Sequence, residues 1–543
     1  MARRTDPYAK PKAGAAAPAA RKDEAACRLL ARFQRAKNLR SPWEATFAEA
    51  YDYTMPMKES VFAQTPGTKR TDRIFDETGV VALAECASRI QAGLVPPFAR
   101  WAGLQAGVAT EPDQRAEINK ALEQIVEIIF ETLAESNFNQ EAPEALTEML
   151  LSLGCLEILE GDAINPIIFK AIPIPRLWVD VGPDDRIDTF FFQNGYRLSQ
   201  LKVRYPKARI PAQLIEAYEK AVGGDPEDPI IQIVEGIRRD YSQPNEERYI
   251  REVVALNEQA LLFDEEYAGS GSCPYVAFRW AKLAGEAWGR GPLLNAMPAI
   301  KTTNLTIEMI LENAELAIGG IWTAEDDGVV NVDTISLVAG TVIPVAPGSG
   351  GLKPLAPAGN FDVANLVLND MRANIKRALF NDMLGNPGKT PMSATEVAER
   401  QADLARQMGA AFGRLQAEFV QPVLRRVIYI LKKKGLIELP PVDGRNVKIV
   451  ATSPLAQAQD QVDINQFAQF GQLITMQFGP QMKNVLIDGE QAADYLASKF
   501  RVPQKVVRDA ASRAQIIQQL GQMNAEPEQV AGDGPTGQAD IQG

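Results

Sequence analysis

Apolar residues recurring in steps of three and four dominate three stretches of this chain. Between 361 and 384, Phe361, Ala364, Leu368, Met371, Ile375 and Ala378 share one face of an amphipathic helix with a period close to 3.5. The Gly- and Pro-rich run GNPGKTPM stops that helix. A new helix is predicted from Ser393, where Ser393 and Glu396 form a capping box and Met392 and Val397 a hydrophobic staple. Its stripe runs Val397, Leu404, Met408, Phe412, Leu415, Phe419, Val423, Val427 and Leu431. Lys432, Lys433 and Lys434 suit the helix C-terminus, and Gly435 suits the left-handed position after it. Unbroken, this helix would hold about 41 residues and span roughly 60 Å at 1.5 Å per residue, with a kink at Pro422. That length fits a strut in a large assembly better than the core of a globular enzyme. The third seam runs Leu293, Met297, Ile300, Asn304, Ile307, Leu311, Ala314 and Ile318, with Asn304 its one polar member.

The N-terminal third reads as mostly helical. Residues 23–38 form a basic helix, and a fresh start is predicted at Ser41 (N-cap), Pro42 (N1) and Glu44 (N3), with Trp43, Phe47, Ala50 and Tyr51 on the apolar face. Residues 58–75 read as a polar loop. DETGVVALAECASRIQAGL then gives a helix with Val80, Leu83, Ala84, Ala87, Ile90 and Leu94 inward, stopped by Pro96 and Pro97. Helices over 112–135 and 140–153 follow, the first marked by Ile118, Leu122, Ile125, Ile129 and Leu133. From Cys155 the texture changes to short apolar runs with turns, and LWVDV–GPDD–RIDTFFFQ reads as a hairpin. Further strands are IIQIVEGIRRDYS, REVVALNEQALLF and SCPYVAFRWAKL, with a helical insert near 198–222, so this block is α+β. Short strands are expected over 321–360. After Gly435 come a short strand, VKIVATS, and helices near 456–478, 490–499 and 503–520. The polar tail from 524 and the arm over 1–22 are expected to be disordered.

Composition narrows the chemistry. The chain has 543 residues and no histidine, which removes the commonest general base and the commonest metal ligand together. A net charge of −12 argues against tight phosphate neutralisation as the main function. Cys27, Cys86, Cys155 and Cys273 are widely spaced and suggest free thiols rather than a zinc site. No run reaches about 18 apolar residues, so no membrane span is expected, and the start lacks the apolar segment of a secretory signal.

Three motifs invite a sharper reading. GNPGKT at Gly385–Thr390 is similar to the end of a phosphate-binding loop. However, Met383 occupies the first glycine position, and a helix precedes it where a strand is needed. The bland reading is an inter-helix loop carrying one cation, Lys389. GRG at Gly289–Gly291 reads as a turn into a helix at Pro292. Asp180, Asp184, Asp185 and Asp188 fit no calcium-loop spacing and read as a solvated turn. No catalytic residue, cofactor or metal is assigned.

Five stretches, in order, carry a resemblance: SPWEATFAEAYDYTMP, DRIFDETGVVALAECASRIQAGLVPPFARWAGL, GEAWGRGP, SATEVAERQ and ATSPLAQAQ. Over roughly residues 25–520 the chain resembles the portal (head-to-tail connector) proteins of short-tailed, podovirus-type bacteriophages. None of the five is a catalytic signature. The resemblance implies a mainly α fold with an α+β wing region, the phage portal fold of wing, stem, clip and crown assembling into a ring. It divides the chain into a disordered arm (1–22), a helical N-terminal wing part (23–154) and an α+β wing part (155–288). A first stem helix (289–320), a clip (321–360), a second stem helix (361–384) and a channel loop (385–392) follow. A long kinked wing helix (393–435), a helical crown or outer region (436–523) and a disordered tail (524–543) complete it.

By that resemblance the DNA-facing loop is Gly385, Asn386, Pro387, Gly388, Lys389 and Thr390, with Lys389 the first candidate for a phosphate contact. Lys301, Arg372, Lys376 and Arg377 on the stem helices are further candidates, for the channel or for neighbouring subunits. An acidic ring would repel phosphate and keep DNA moving, while a few cations touch the backbone transiently. The implied partners are other copies in a ring, a dodecamer in this family, double-stranded DNA, the terminase large subunit, tail adaptor and nozzle proteins, and capsid and scaffold proteins. The implied place is the capsid portal vertex of the virion, after assembly in the host cytoplasm. Two alternatives stay open: another head-tail structural connector, and a nucleotide-binding enzyme using GNPGKT.

Overall fold

The computed structural model describes residues from 24 to 516; 60–69, 220–229, 324–352, 355–360, 382–408 and 503–512, with some shorter stretches, lie outside the described residues, as do 1–23 and 517–543. The chain forms two compact units, one of residues 1–101, 129–439 and 453–455, the other of 102–128, 440–452 and 456–543.

The first unit begins with α1 (Glu24–Thr54), a single helix where the sequence signals a break at Ser41 and Pro42. Arg40, next to that expected break, explains the continuity. It is only 2% exposed, and its Nη1 donates to the carbonyl oxygens of Ile174, Pro175 and Leu177 at 2.9, 3.2 and 2.8 Å. Its guanidinium also lies 4.1 Å from the Trp178 ring centre and pairs with Glu44. The stripe Ala26, Leu29, Phe33, Ala36, Arg40, Phe47 and Tyr51 is buried from end to end. Tertiary contacts along both halves thus override local start signals.

α1 lies on a five-stranded antiparallel sheet ordered β4 (Leu177–Val181), β5 (Ile187–Arg197), β6 (Ile230–Arg239), β7 (Arg248–Ala255) and β8 (Ala260–Ala268). Period-two alternation splits its residues between two cores. Trp178, Phe191, Val234 and Val254 meet α1. Ile231, Ile233, Val253, Ala255 and Leu262 meet Leu198 and Leu201 of α5 (Leu198–Arg204) and Tyr205. Gly236 sits where a Cβ would fall 2.4 Å from Leu29 Cδ1, so glycine here leaves room for the Leu29 side chain against β6.

The predicted β4–β5 hairpin is present, closed by Gly182 N–H to Arg186 O and by Asp185 in the left-handed region at φ +57°. Its acids act separately: Asp180 pairs with Arg35 at 3.1 Å, and Asp188 accepts from Tyr241 and from Thr189. Among the described residues no cluster of acids is placed to hold a metal.

A three-stranded sheet, β3 (Ile167–Ala171), β2 (Leu153–Glu160) and β9 (Tyr275–Arg279), packs against α4 (Phe138–Leu151). Gly289 and Gly291 press against the backbone of residues 150–152. A Cβ on Gly291 would fall 1.8 Å from Leu150 O, and Ser152 Oγ donates to Gly289 O at 2.9 Å. The GRG motif is therefore a backbone crossing that leads into α6 (Pro292–Gly319). α2 (Thr78–Leu94), α6 and α7 (Phe361–Ala378) pack together beside it. β10 (Trp322–Thr323) and β11 (Lys353–Pro354) pair antiparallel between α6 and α7.

Of the long predicted helix, 393–408 lies outside the described residues. The rest runs as α8 (Gly409–Leu415), a π turn (Gln416–Val420) and α9 (Gln421–Lys433). The π turn lies just before Pro422, where a kink is expected, and it accommodates the hydrogen bond that proline cannot make. The turn aims Glu418 at buried Arg279, whose N, Nε and Nη2 donate to its carboxylate at 3.1, 3.3 and 3.0 Å. Gly435 ends the helix at φ +71°. Its N–H bonds Lys432 O, and the Leu436 N–H bonds Leu431 O, both at 3.0 Å, which is the Schellman arrangement.

In the second unit, β1 (Ala102–Ala106) pairs antiparallel with β12 (Val447–Ala451). The strand expected at VKIVATS therefore has a partner that the sequence did not announce. α3 (Arg115–Glu135) begins in this unit, and its Asn119 accepts the Ala106 N–H at 2.7 Å. α10 (Pro454–Phe478) and α11 (Gly489–Phe500) are tied by Lys499, which donates to Asp460 and Asp463 at 3.0 and 2.6 Å.

Candidate channel and subunit-contact surface

The four sequence-predicted site residues that the structure describes, Lys301, Arg372, Lys376 and Arg377, lie on α6 and α7. The α6 seam is buried through Leu293, Met297, Ile300 and Asn304 and then emerges: Leu311 is 52% exposed. Leu305 and Met309 on α6 are exposed too, as are Leu366 and Val367 on α7. On the inner side, Leu368, Ile375 and Leu379 are buried.

Asn304, the polar member of the seam, is a structural link. Its Oδ1 accepts the N–H groups of Phe75 (2.7 Å) and Asp76 (3.2 Å), and its Nδ2 donates to Arg73 O at 3.0 Å. Asp76 Oδ1 then accepts the N–H of Thr78, the first residue of α2, at 2.8 Å, and its Oδ2 takes Arg372 from α7. Burial pushes the Asp76 carboxyl up, but hydrogen bonds from Thr78 and Arg372 outweigh it and hold the group below the ordinary aspartate value.

The far end of α7 is held by Ala82 and Arg89 of α2. Phe380 sits at φ +57°, with its N–H on Arg377 O and the Asn381 N–H on Lys376 O. This is a Schellman ending with phenylalanine where glycine is usual. Arg89 of α2 donates to Phe380 O and Asn381 O at 3.3 and 2.8 Å, and Asn381 Nδ2 donates to Ala82 O at 3.0 Å. The Phe380 ring packs 5.5 Å from that of Trp280.

The candidate cations divide into two pairs. Lys301 is exposed but bonded to Glu49 of α1, which raises its pKa, and Arg372 is committed to Asp76. Lys376 and Arg377 are exposed on the last turn of α7, with Arg377 also reaching Asn374 at 3.5 Å. Gly385, Asn386, Pro387, Gly388, Lys389 and Thr390 lie outside the described residues. Sequence reasoning missed Asp76, Arg89, Phe380 and Asn381. Only Asp76, two residues before Thr78 at the start of a predicted helix, left a capping signal.

Residues 26–507 match the model of the family described as bacteriophage head to tail connecting protein. The chain is 22% identical over 459 residues to the probable portal protein of Bordetella phage BPP-1, covering 81% of each. It is 22% identical over 536 residues to the portal protein of Escherichia phage T7, covering 92% of this chain and 95% of that one. Among solved structures, a chain of the virion of a native gene transfer agent (GTA) particle is similar at TM-score 0.36 and 13% identity, covering 74% of this chain and 88% of that one. The chain belongs to the bacteriophage head-to-tail connecting protein family, and its function is that of a phage portal protein.

Proposed function

We propose that copies of this chain form a closed ring, a dodecamer, at one capsid vertex, and that double-stranded DNA is packaged and ejected through it. In this reading α6 and α7 are the stem, residues 321–360 the clip, 385–392 the channel loop and the C-terminal helices the crown or outer region. The observation that carries it is the exposed apolar surface that α6 and α7 share, of which Leu311 is the seam's emerging member. Leu305, Met309, Leu311, Leu366 and Val367 expose apolar side chains on two adjacent helices, which a single chain gains nothing by leaving in water. Packing against the same helices of a neighbouring copy would cover them. The ring docks the terminase large subunit during packaging and tail adaptor and nozzle proteins afterwards, and it meets capsid and scaffold proteins at the vertex. Its role is structural rather than enzymatic.

Electron microscopy of the purified protein tests the ring, with particles carrying a central hole as the expected image. Leu305→Glu with Leu366→Glu should leave single chains, and rings formed by that variant would overturn the stem assignment. Lys389→Glu should lower packaging or retention of DNA while rings still form, and normally filled particles would overturn the loop assignment. ATP hydrolysis by the isolated chain would favour the nucleotide-binding alternative instead.

A further inference from the structure

We propose that one flank of α1, carrying Arg28, Arg32 and Arg35 with Arg238 of β6 beside it, binds the phosphate backbone of double-stranded DNA at a surface separate from α6 and α7. The three arginines follow steps of four and three, so they stand on the same flank of the helix, about 6 and 4.5 Å apart along its axis. All three are exposed, while the opposite stripe of α1 is buried on the sheet. In a chain of net charge −12, so local a cationic surface departs from the whole.

The charges are only partly neutralised. Arg35 pairs with Asp180 at 3.1 Å, and Arg238 reaches Glu252 at 3.7 Å. Arg28 spends its Nε on the backbone oxygen of Glu24. Arg32 has no hydrogen bond or ion pair among the described residues. Burial, and then the positive charges of Arg238 and Arg28, hold its pKa below the ordinary arginine value, against the pull of Glu252. A solvated face needs no such crowding of like charge.

The surroundings select the partner. A docking surface for another protein carries an apolar centre, and this flank lacks one. Cys27, Ala31, Gln34 and Asn38 on the exposed side of α1 are small or polar, and Leu39 is the one large apolar residue of this helix that is well exposed. Interfaces with DNA are polar and strongly positive. All four cations are arginines, whose planar fork grips phosphate through two donors. A duplex offers a charge about every 1.7 Å along its axis, dense enough to meet this spacing without reading sequence.

The test is binding of the full-length chain to a fluorescent random-sequence duplex, measured from about 50 to 200 mM salt. Arg28→Glu with Arg32→Glu should weaken binding and flatten the plot of log affinity against log salt by about 2, at about 0.9 per phosphate contact. Arg28→Gln with Arg32→Gln repeats the test without reversing charge, and circular dichroism checks that both variants keep their helices. Lys376→Glu with Arg377→Glu, on α7, should leave the contribution of α1 to the slope in place. An unchanged slope in the α1 variants, or no duplex binding by the wild type, would overturn the proposal. So would a slope lowered by the α7 variant alone, which would leave the channel reading standing.

Discussion

Arg372 reaches from α7 to the start of α2 and places both Nε (2.9 Å) and Nη2 (2.7 Å) on a single oxygen of Asp76. The carboxylate is nearly buried while the guanidinium is half open to solvent. Removing the negative charge should therefore matter more than the exposed position of its partner suggests. Asp76→Asn is expected to lower stability by about 1.5 kcal/mol, the scale of a hydrogen bond to a charged group. Because folding holds Asp76 below its ordinary pKa, the unfolded chain takes up the proton first as pH falls. The contribution of Asp76 is thus full above the ordinary aspartate value of about 4, and it declines as pH drops through the lower folded value. Urea unfolding of wild type and variant should show a gap at pH 7 that narrows below about pH 4; a gap independent of pH would contradict this account.

Asn304 holds the same segment from the other side, through two backbone N–H groups and one carbonyl. Asn304→Leu would pack as well as its neighbours in the seam but would strand all three backbone groups. A loss of about 3 kcal/mol is expected, since each orphaned buried group costs about 1–3 kcal/mol. Asn304→Asp keeps the acceptor and loses the donor, and it sets a second carboxylate next to Asp76, so its loss should shrink on acidification. Denaturation at neutral and acidic pH separates the two variants.

These two links show what the sequence made legible and what it did not. Periodicity located α6, α7 and α9, and Phe412, Leu415, Phe419, Val423, Val427 and Leu431 are all buried as predicted. The Gly435 ending was equally plain, because left-handed backbone restricts residue choice locally. Periodicity also marked Asn304 as an exception, but its partners stand about 230 positions earlier in the chain, and no local rule reaches that far. The same limit hid the continuity of α1, which rests on Arg40 meeting carbonyls more than 130 residues away. It also hid β1, a short strand of low β-propensity defined by its register with β12. On the candidate surface, sequence supplied the cations. Which of them already pair within the chain, as Lys301 and Arg372 do, depended on the packing of α1 and α2.

Phe380 offers a direct measure of backbone strain at the end of α7. A non-glycine residue in the left-handed region costs roughly 1–2 kcal/mol, and here the contacts of Arg89 and Trp280 offset it. Phe380→Ala would keep the strain and lose the ring, whereas Phe380→Gly would lose both. The glycine variant should be the more stable of the two by about 1 kcal/mol, read from urea midpoints. If alanine proves the more stable, the left-handed backbone at 380 carries no cost.

A final prediction concerns the charges buried where the two larger sheets meet. Glu157 of β2 and Glu235 of β6 share the cations Arg204 and Arg251, with Arg251 at 2.7 Å from Glu235 and 3.6 Å from Glu157. Tyr205 and Tyr275 donate to Glu235 as well. Burial, and then the charge of Glu235, push the Glu157 carboxyl up, while Arg251 and then Arg204 overcome burial to hold Glu235 down. The two therefore respond to pH in opposite senses. The contribution of Glu157 is full below the ordinary glutamate value and is lost as pH rises through its folded value; that of Glu235 is lost as pH falls. Arg251→Met removes the cation that pairs with Glu235 at 2.7 Å and leaves the two carboxylates with Arg204, and with Lys170 acting on Glu157. The expected loss at pH 7 is about 3–5 kcal/mol, the scale of a broken buried pair. With Arg251 gone, both carboxyls should favour the protonated form when folded, so the variant should regain stability relative to wild type as pH falls from 7 towards the ordinary glutamate value of about 4.3. Urea unfolding across that range checks it, and a deficit that stays constant or grows on acidification would show that the lost packing of Arg251, and not its charge, stabilised the sheet junction.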